Sequence, residues 1–216
     1  MLMSIKLIIF DLDGTLIDSL KDITNAVNQA TRPYGIAEKS VPEMGELLGT
    51  GISILIDRVL ADRRAELKDA VMKRFMDYYS NHLIEHTTVY PGVRDLLERL
   101  AGCKKAVVTN KRERFARIIL DELGIGPCFD SVLGSDSVAE KKPSPVPLLH
   151  LLDLYNLSAS EAVMVGDSEI DIAAGKGAGV RTVGVTYGYR DREALEDADF
   201  IIDDIGGLME VIDILK

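Results

Sequence analysis

The chain has 216 residues, 47% of them hydrophobic and 28% charged, an ordinary globular composition that excludes a disordered or low-complexity polypeptide. With 25 Lys and Arg against 35 Asp and Glu its net charge is −10, so it has no general attraction for nucleic acid or anionic lipid, and an anionic substrate must be captured by local groups. The length suits one sizeable core with a smaller inserted module and would crowd two full domains.

The first predicted element is the apolar run Lys6–Phe10, which Asp11 ends too early for the apolar core of a signal peptide. No other stretch nears the roughly 18 apolar residues of a membrane span. The two cysteines, Cys103 and Cys128, form neither a CxxC pair nor a cluster with zinc spacing. These features predict a cytoplasmic protein with no membrane or nucleic-acid partner.

From about Leu16 to His86 the sequence predicts helices and no strand. One stripe runs Leu16, Leu20, Ile23, Val27, Ala30 and another Leu67, Val71, Phe75, Tyr78. This is expected to be an all-helical insertion after the first strand, with the chain returning to the core near Pro91-Gly92. Within it His82 and His86 have the i, i+4 spacing of a helical metal pair but no evident third ligand, and Tyr78 and Tyr79 read as packing aromatics.

Beyond the insertion, short β-branched runs alternate with helix-period segments. The runs are Ala106–Val108, Ser131–Leu133, Ala162–Val165, Thr182–Val185 and Phe200–Ile202. Being apolar throughout rather than alternating, they read as strands of a parallel sheet covered on both faces. The stripes Val93, Leu96, Leu97, Leu100 and Leu208, Val211, Ile212, Leu215 read as helices between and after them. The predicted fold class is therefore α/β, a parallel sheet with an inserted helical cap: residues 1–16 and 89–216 form the core and 17–88 the cap.

Four segments at predicted strand ends carry chemistry. Asp11-Leu-Asp13-Gly-Thr15 ends the first strand, where ligands bind in open α/β sheets; residues i and i+2 of an extended segment share a side, so both carboxylates would face one ligand. Thr109-Asn110 offers a hydroxyl and an amide for phosphoryl oxygens. Lys141-Lys142-Pro143 places a cation before a Pro-rich turn. Gly166-Asp167 ends another strand, with Asp171 one helical turn on, and Asp167 is a further oxygen ligand for a hard cation such as Mg²⁺. Taken singly, each segment has an ordinary structural reading; their joint placement points to phosphate chemistry.

These residues resemble the four motifs of the haloacid dehalogenase-like (HAD) hydrolase superfamily: FDLDGTLIDS from Phe10, VVTNK from Val107, KPSPVP from Lys142 and VGDSEIDIAAGKGAG from Val165. The tail GVTYGYRDREALEDADFIIDDIGGL and the stretch Leu48-Gly-Thr-Gly51 are most similar to the phosphoglycolate phosphatase branch. The resemblance implies a Rossmann-like core and a Mg²⁺-dependent phosphatase that forms an aspartyl phosphate, phosphoglycolate being the first substrate choice. It makes Asp11 the nucleophile and Asp13 the general acid/base. Asp11, Asp13 through its backbone carbonyl, and Asp167 become the metal ligands, while Thr109, Asn110 and Lys142 hold the phosphoryl group. Lys142 rather than Lys141 fits the pattern because Pro143 follows it. Alternatives within the superfamily are a pyrophosphatase or a phosphatase for sugar phosphates or nucleotides; outside it, a catalytically silent domain that binds a phosphorylated ligand.

Overall fold

The structure, a computed structural model, describes residues 5–61 and 66–215. Its first strand, β1 (Leu7–Phe10), is completely buried, and after a tight turn the chain forms the two-residue strand β2 (Ile17–Asp18). Four helices follow: α1 (Leu20–Thr31), α2 (Val41–Gly45), α3 (Ile52–Leu60) and α4 (Lys68–Tyr79). Strand β3 (Thr88–Val89) then pairs antiparallel with β2, Ile17 opposite Val89, so the way into and out of the helical module is one short ribbon. This corrects the expectation of no strand between Leu16 and His86: Leu16 belongs to the turn, and the helical stripe begins at Leu20.

The rest of the chain alternates as α5 (Val93–Arg99), β4 (Lys104–Val108), α6 (Glu113–Glu122), β5 (Ser131–Leu133), α7 (Val146–Tyr155), β6 (Ala162–Gly166), α8 (Glu169–Ala178), β7 (Arg181–Val185), β8 (Phe200–Ile202) and α9 (Leu208–Ile214). The main sheet has six strands in the order β5-β4-β1-β6-β7-β8, all parallel. From β1 the chain moves outward through β4 and β5, then crosses back to β6 on the other side. Ligand crevices form where strand order reverses in this way, at the carboxyl ends.

The continuous apolar runs are explained by burial on both faces. Ile8 and Phe10 pack with Leu96 of α5, Ile119 of α6 and Leu208 of α9, whereas Leu7 and Ile9 pack with Leu148 and Leu151 of α7 and Ala174 of α8. The first cluster runs on into the helical module through Ile23, Val27, Leu55, Val71, Phe75 and Tyr79, so the module and the sheet share apolar contact. In α4 the buried face is Val71, Phe75, Tyr79; the predicted stripe ended instead on Tyr78, which is only partly buried.

Helix α4 stops at Tyr79, so His82 and His86 lie beyond it and share no helical face. His82 Nδ1 lies 2.7 Å from the Tyr78 carbonyl and its ring stacks on Tyr78 at 3.8 Å, while His86 donates its backbone N–H to Asp22. Asp22 is buried on α1 and also accepts from the N–H and hydroxyl of Thr87, at 2.8 and 2.7 Å. One carboxylate thus fixes the segment entering β3 to the start of the module. Replacing it with an apolar group would strand buried backbone donors. Asp22→Ala is expected to lower the unfolding free energy by about 2–3 kcal/mol, read as a shifted urea midpoint; an unchanged midpoint would show that the segment is held by other contacts.

Candidate active site

Phe10 lies opposite Val107 of β4 and Val165 of β6, which brings the carboxyl ends of these three strands level. Asp11 follows β1 and donates its N–H to the Val165 carbonyl at 2.9 Å. The chain then turns rather than running extended, because Leu16 and Ile17 both donate to the Leu12 carbonyl, at 3.0 and 3.1 Å. Asp11 and Asp13 therefore reach the cleft from the start of a turn rather than from an extended segment, and both line it. Gly14 sits in this turn at φ +92°, and a Cβ there would lie 2.3 Å from Asp167 Oδ2, so the turn needs glycine for both conformation and space.

The mutually close carboxylates here are those of Asp11, Asp167 and Asp171, with oxygens within 4.8 Å of one another. Lys142, only 2% exposed, reaches into them: its Nζ is 2.8 Å from Asp11 Oδ1 and 2.6 Å from Asp171 Oδ1. Asp171 is itself anchored, its Oδ2 accepting from the N–H and hydroxyl of Ser168 at the start of α8, at 3.1 and 2.6 Å. Burial pushes the Asp11 carboxyl up to about 7, Lys142 pulling it down and Asp171 and Asp13 adding to the rise. Burial likewise holds Asp167 well above the usual carboxylate range, and Asp171 and Asp11 reinforce it. Burial works against the Lys142 charge, but Asp11 and Asp171 outweigh it and raise its pKa.

Fully ionised, three carboxylates around one ammonium would carry an excess of two negative charges, the repulsion that helps raise Asp11 and Asp167. The Lys142 contact to Asp11 Oδ1 is not aligned as a hydrogen bond, so this buried oxygen has no donor. Excess charge and an undonated oxygen among hard ligands are what a divalent, oxygen-seeking cation satisfies, so the residues present fit one.

Asp13 stands outside the trio. Its Oδ1 accepts from Lys111 Nζ and Ser19 Oγ, each at 2.5 Å, leaving the other oxygen without a protein donor among the described residues. Lys111 is raised in pKa: burial opposes its charge, but Asp13 and Tyr79 beside it more than compensate. Asp167 is held by the Tyr189 N–H at 2.8 Å and more loosely by the Thr15 hydroxyl at 3.4 Å. Thr109 lies at the end of β4 with its hydroxyl accepting from the Lys111 N–H at 3.2 Å.

The side chain of Asn110 does something the sequence did not suggest. Its amide donates to the Lys142 carbonyl at 2.9 Å and to the Gly49 carbonyl of the helical module at 3.0 Å. The two adjacent lysines part company here too, since Lys141 Nζ reaches the Thr50 carbonyl at 2.8 Å while Lys142 enters the carboxylates. Arg190, after β7, donates to the carbonyls of Gly45, Glu46 and Leu48. Sequence reasoning missed Ser19, Lys111, Tyr189 and Arg190 as site residues. Lys111 closes the quoted VVTNK segment and Tyr189-Arg190 follow the β7 run, but their partners lie far off in sequence.

Core and module enclose a cleft of about 750 Å³, counting space open to solvent. Asp11, Asp13, Thr109, Lys111 and Asp167 line its floor; Ile23, Leu48, Ile52, Leu55, Phe75 and Met76 form its apolar roof.

With this geometry in place, comparison with known proteins gives consistent matches. The sequence profile of the family described as haloacid dehalogenase-like hydrolase matches residues 8–185. The phosphoglycolate phosphatase of Vibrio parahaemolyticus is 41% identical over 96% of both chains, and that of Chromobacterium violaceum 39% identical over 96% of both. A crystal structure described as a predicted phosphoglycolate phosphatase from Haemophilus somnus 129PT superposes with a TM-score of 0.90 at 32% identity, covering 96% of this chain and 97% of the other.

The different surroundings of the paired lysines make a direct test. Removing Lys142 leaves buried carboxylates uncompensated, so Lys142→Met should lower the unfolding free energy by about 3 kcal/mol. Lys141→Met removes one hydrogen bond to a carbonyl and should cost about 1 kcal/mol or less. Equal urea midpoints for the two variants would contradict the buried ion cluster.

Proposed function

The chain belongs to the haloacid dehalogenase-like hydrolase family, and from that premise we propose that it is a Mg²⁺-dependent phosphatase that hydrolyses 2-phosphoglycolate through an aspartyl phosphate on Asp11. The observation that carries this reading is the buried Asp11 carboxylate at the end of β1, facing a cleft, with Lys142 on one side and Asp167 close by. The substrate rests on the name shared by the relatives of Vibrio and Chromobacterium. The core and cap are taken to meet at the β2/β3 ribbon. The free thiols of Cys103 and Cys128 accord with the cytoplasm as its setting.

We assign Asp11, the Asp13 backbone carbonyl and Asp167 as ligands of Mg²⁺. When bound, the ion offsets the repulsion between these carboxylates and a dianionic phosphate. Asp11 attacks phosphorus in line with the ester oxygen; the O–P bond to Asp11 forms as the P–O bond to the leaving group breaks. Lys142 balances charge on Asp11 and the transferring group. Thr109 and the backbone beside Asn110 hold phosphoryl oxygens.

Asp13, fixed by Ser19 and Lys111 through Oδ1, presents its free oxygen to the leaving alkoxide and donates the proton it needs. The same oxygen then takes a proton from the water that attacks phosphorus, releasing inorganic phosphate and restoring Asp11. Side chains of the cap exclude bulk water while the acyl phosphate exists.

Two measurements test this. Across a panel of phosphomonoesters with Mg²⁺, kcat/KM should be highest for 2-phosphoglycolate and activity should vanish with chelator; a nucleotide or sugar phosphate turned over far better would overturn the substrate. Asp11→Asn should lose about four orders of magnitude in turnover, and a chiral, isotopically labelled phosphate should be released with net retention, because two in-line displacements each invert. Net inversion would sink the covalent route and leave the phosphatase reading standing.

A further inference from the structure

Most polar side chains lining the cleft are already committed to protein partners. Asp11 and Asp167 belong to the ion cluster, Asp13 and Lys111 hold each other, Ser168 bonds Asp171, Tyr189 is bonded to Ser19 and Asp18, and Arg190 is tied to module carbonyls. Asn110 keeps its Oδ1 unpaired, an acceptor with nothing to offer an anion, which leaves Tyr79 and Arg112 as the uncommitted donors. The Tyr79 hydroxyl is buried, its residue 2% exposed, and no acceptor among the described residues meets its proton; its polar neighbour is the Lys111 ammonium, itself only a donor. Arg112, the residue before α6, also lines the cleft; it is exposed, and no hydrogen bond or ion pair holds its guanidinium among the described residues.

Their positions are complementary. Tyr79 comes from α4, and every other module residue lining the cleft is apolar or glycine, so among the described residues it is the only polar side chain the module brings to the cleft. Its ring is fixed by stacking on Phe75 at 5.1 Å and by an edge contact with Phe115 at 5.7 Å, which leaves the hydroxyl little freedom to find another partner. Burial pushes that hydroxyl up to about 12, against the pull of Lys111, so it remains a donor near neutral pH. Arg112 lines the same cleft from the core, as the residue after Lys111. A buried hydroxyl left unpaired is destabilising, and a free guanidinium is the preferred partner of a carboxylate.

We propose that Tyr79 and Arg112 together form the subsite for a second anionic group on the leaving half of the substrate, a carboxylate carried on the carbon next to the ester oxygen. The assignment rests on the phosphatase reading given above and adds to it the residues that select the leaving group. The cluster around Lys142 handles the phosphoryl group; Tyr79 and Arg112, which line the same cleft, meet what departs. A leaving group without a carboxylate gains nothing from either residue.

The test compares 2-phosphoglycolate with 4-nitrophenyl phosphate, which has no carboxylate, as a ratio of kcat/KM values. In both Tyr79→Phe, which keeps the stacked ring, and Arg112→Gln, the ratio should fall about tenfold or more, and Arg112→Lys should recover part of the loss. Glycolate, as a product inhibitor, should bind more weakly to both variants. A ratio unchanged in either variant overturns the subsite while leaving the phosphatase reading intact. A wild-type enzyme active on 4-nitrophenyl phosphate but inert toward 2-phosphoglycolate overturns the subsite and the proposed substrate together.

Discussion

The burial of the Lys142 ammonium between Asp11 and Asp171 is the constraint from which the rest of the site follows. An ammonium so nearly excluded from water is tolerable only because two carboxylates meet it, at 2.8 and 2.6 Å. Each partner is in turn fixed by backbone. Asp11 is held to β6 by its N–H, Asp171 by the first turn of α8, and Lys142 by Asn110 at the end of β4. Three strand ends are thereby locked around one ion, and the remaining negative charge is what makes the place fit for a divalent cation and then for a phosphate dianion.

The same economy of donors closes the module onto the core. Between Gly45 and Thr50 the module presents backbone carbonyls, and Arg190, Asn110 and Lys141 of the core donate to them. Gly51 follows at φ +89°, a conformation that strains any side chain, and a Cβ there would press on Lys141 Nζ at 3.1 Å and the Asn110 carbonyl at 3.2 Å. Because Asn110 bonds both Gly49 and the Lys142 carbonyl, the position of the module is coupled to the position of the buried ammonium. Closure and charge placement are parts of one network.

How much of this was legible in the sequence depended on how local its cause was. The four inner strands of the main sheet were readable because burial on both faces makes them apolar runs, while the edge strands β5 and β8, only partly buried, were readable from their apolar residues alone. The ribbon Ile17–Asp18 with Thr88–Val89 was not, because two residues carry no periodicity and its pairing spans the whole insertion. The end of α4 was misjudged by one aromatic because Tyr78 and Tyr79 are equal in composition and only packing against Phe115 and Phe75 tells them apart. His82 and His86 looked like a helical pair only while the helix was assumed to continue past Tyr79. The acids at strand ends were visible; Lys111, whose meaning lies in an ion pair with Asp13 nearly half the chain away, was visible only as the last letter of a motif.

That division follows the chemistry. Phosphate is the same group in every phosphomonoester, so the groups that hold it can be fixed at strand ends, in short segments whose residue types are dictated by charge and metal coordination. The leaving half differs from substrate to substrate, and what meets it is a surface assembled from α1, α3 and α4, elements that no short segment specifies. An apolar surface discriminates weakly, since a methylene more or less changes binding by only about 1–3 kcal/mol. A hydroxyl or guanidinium that must find a partner discriminates strongly, because the wrong substrate leaves it unsatisfied. In a roof built almost wholly of Ile, Leu, Phe and Met, the Tyr79 hydroxyl is the polar group among the described residues at which the proposed selectivity for the leaving half would act.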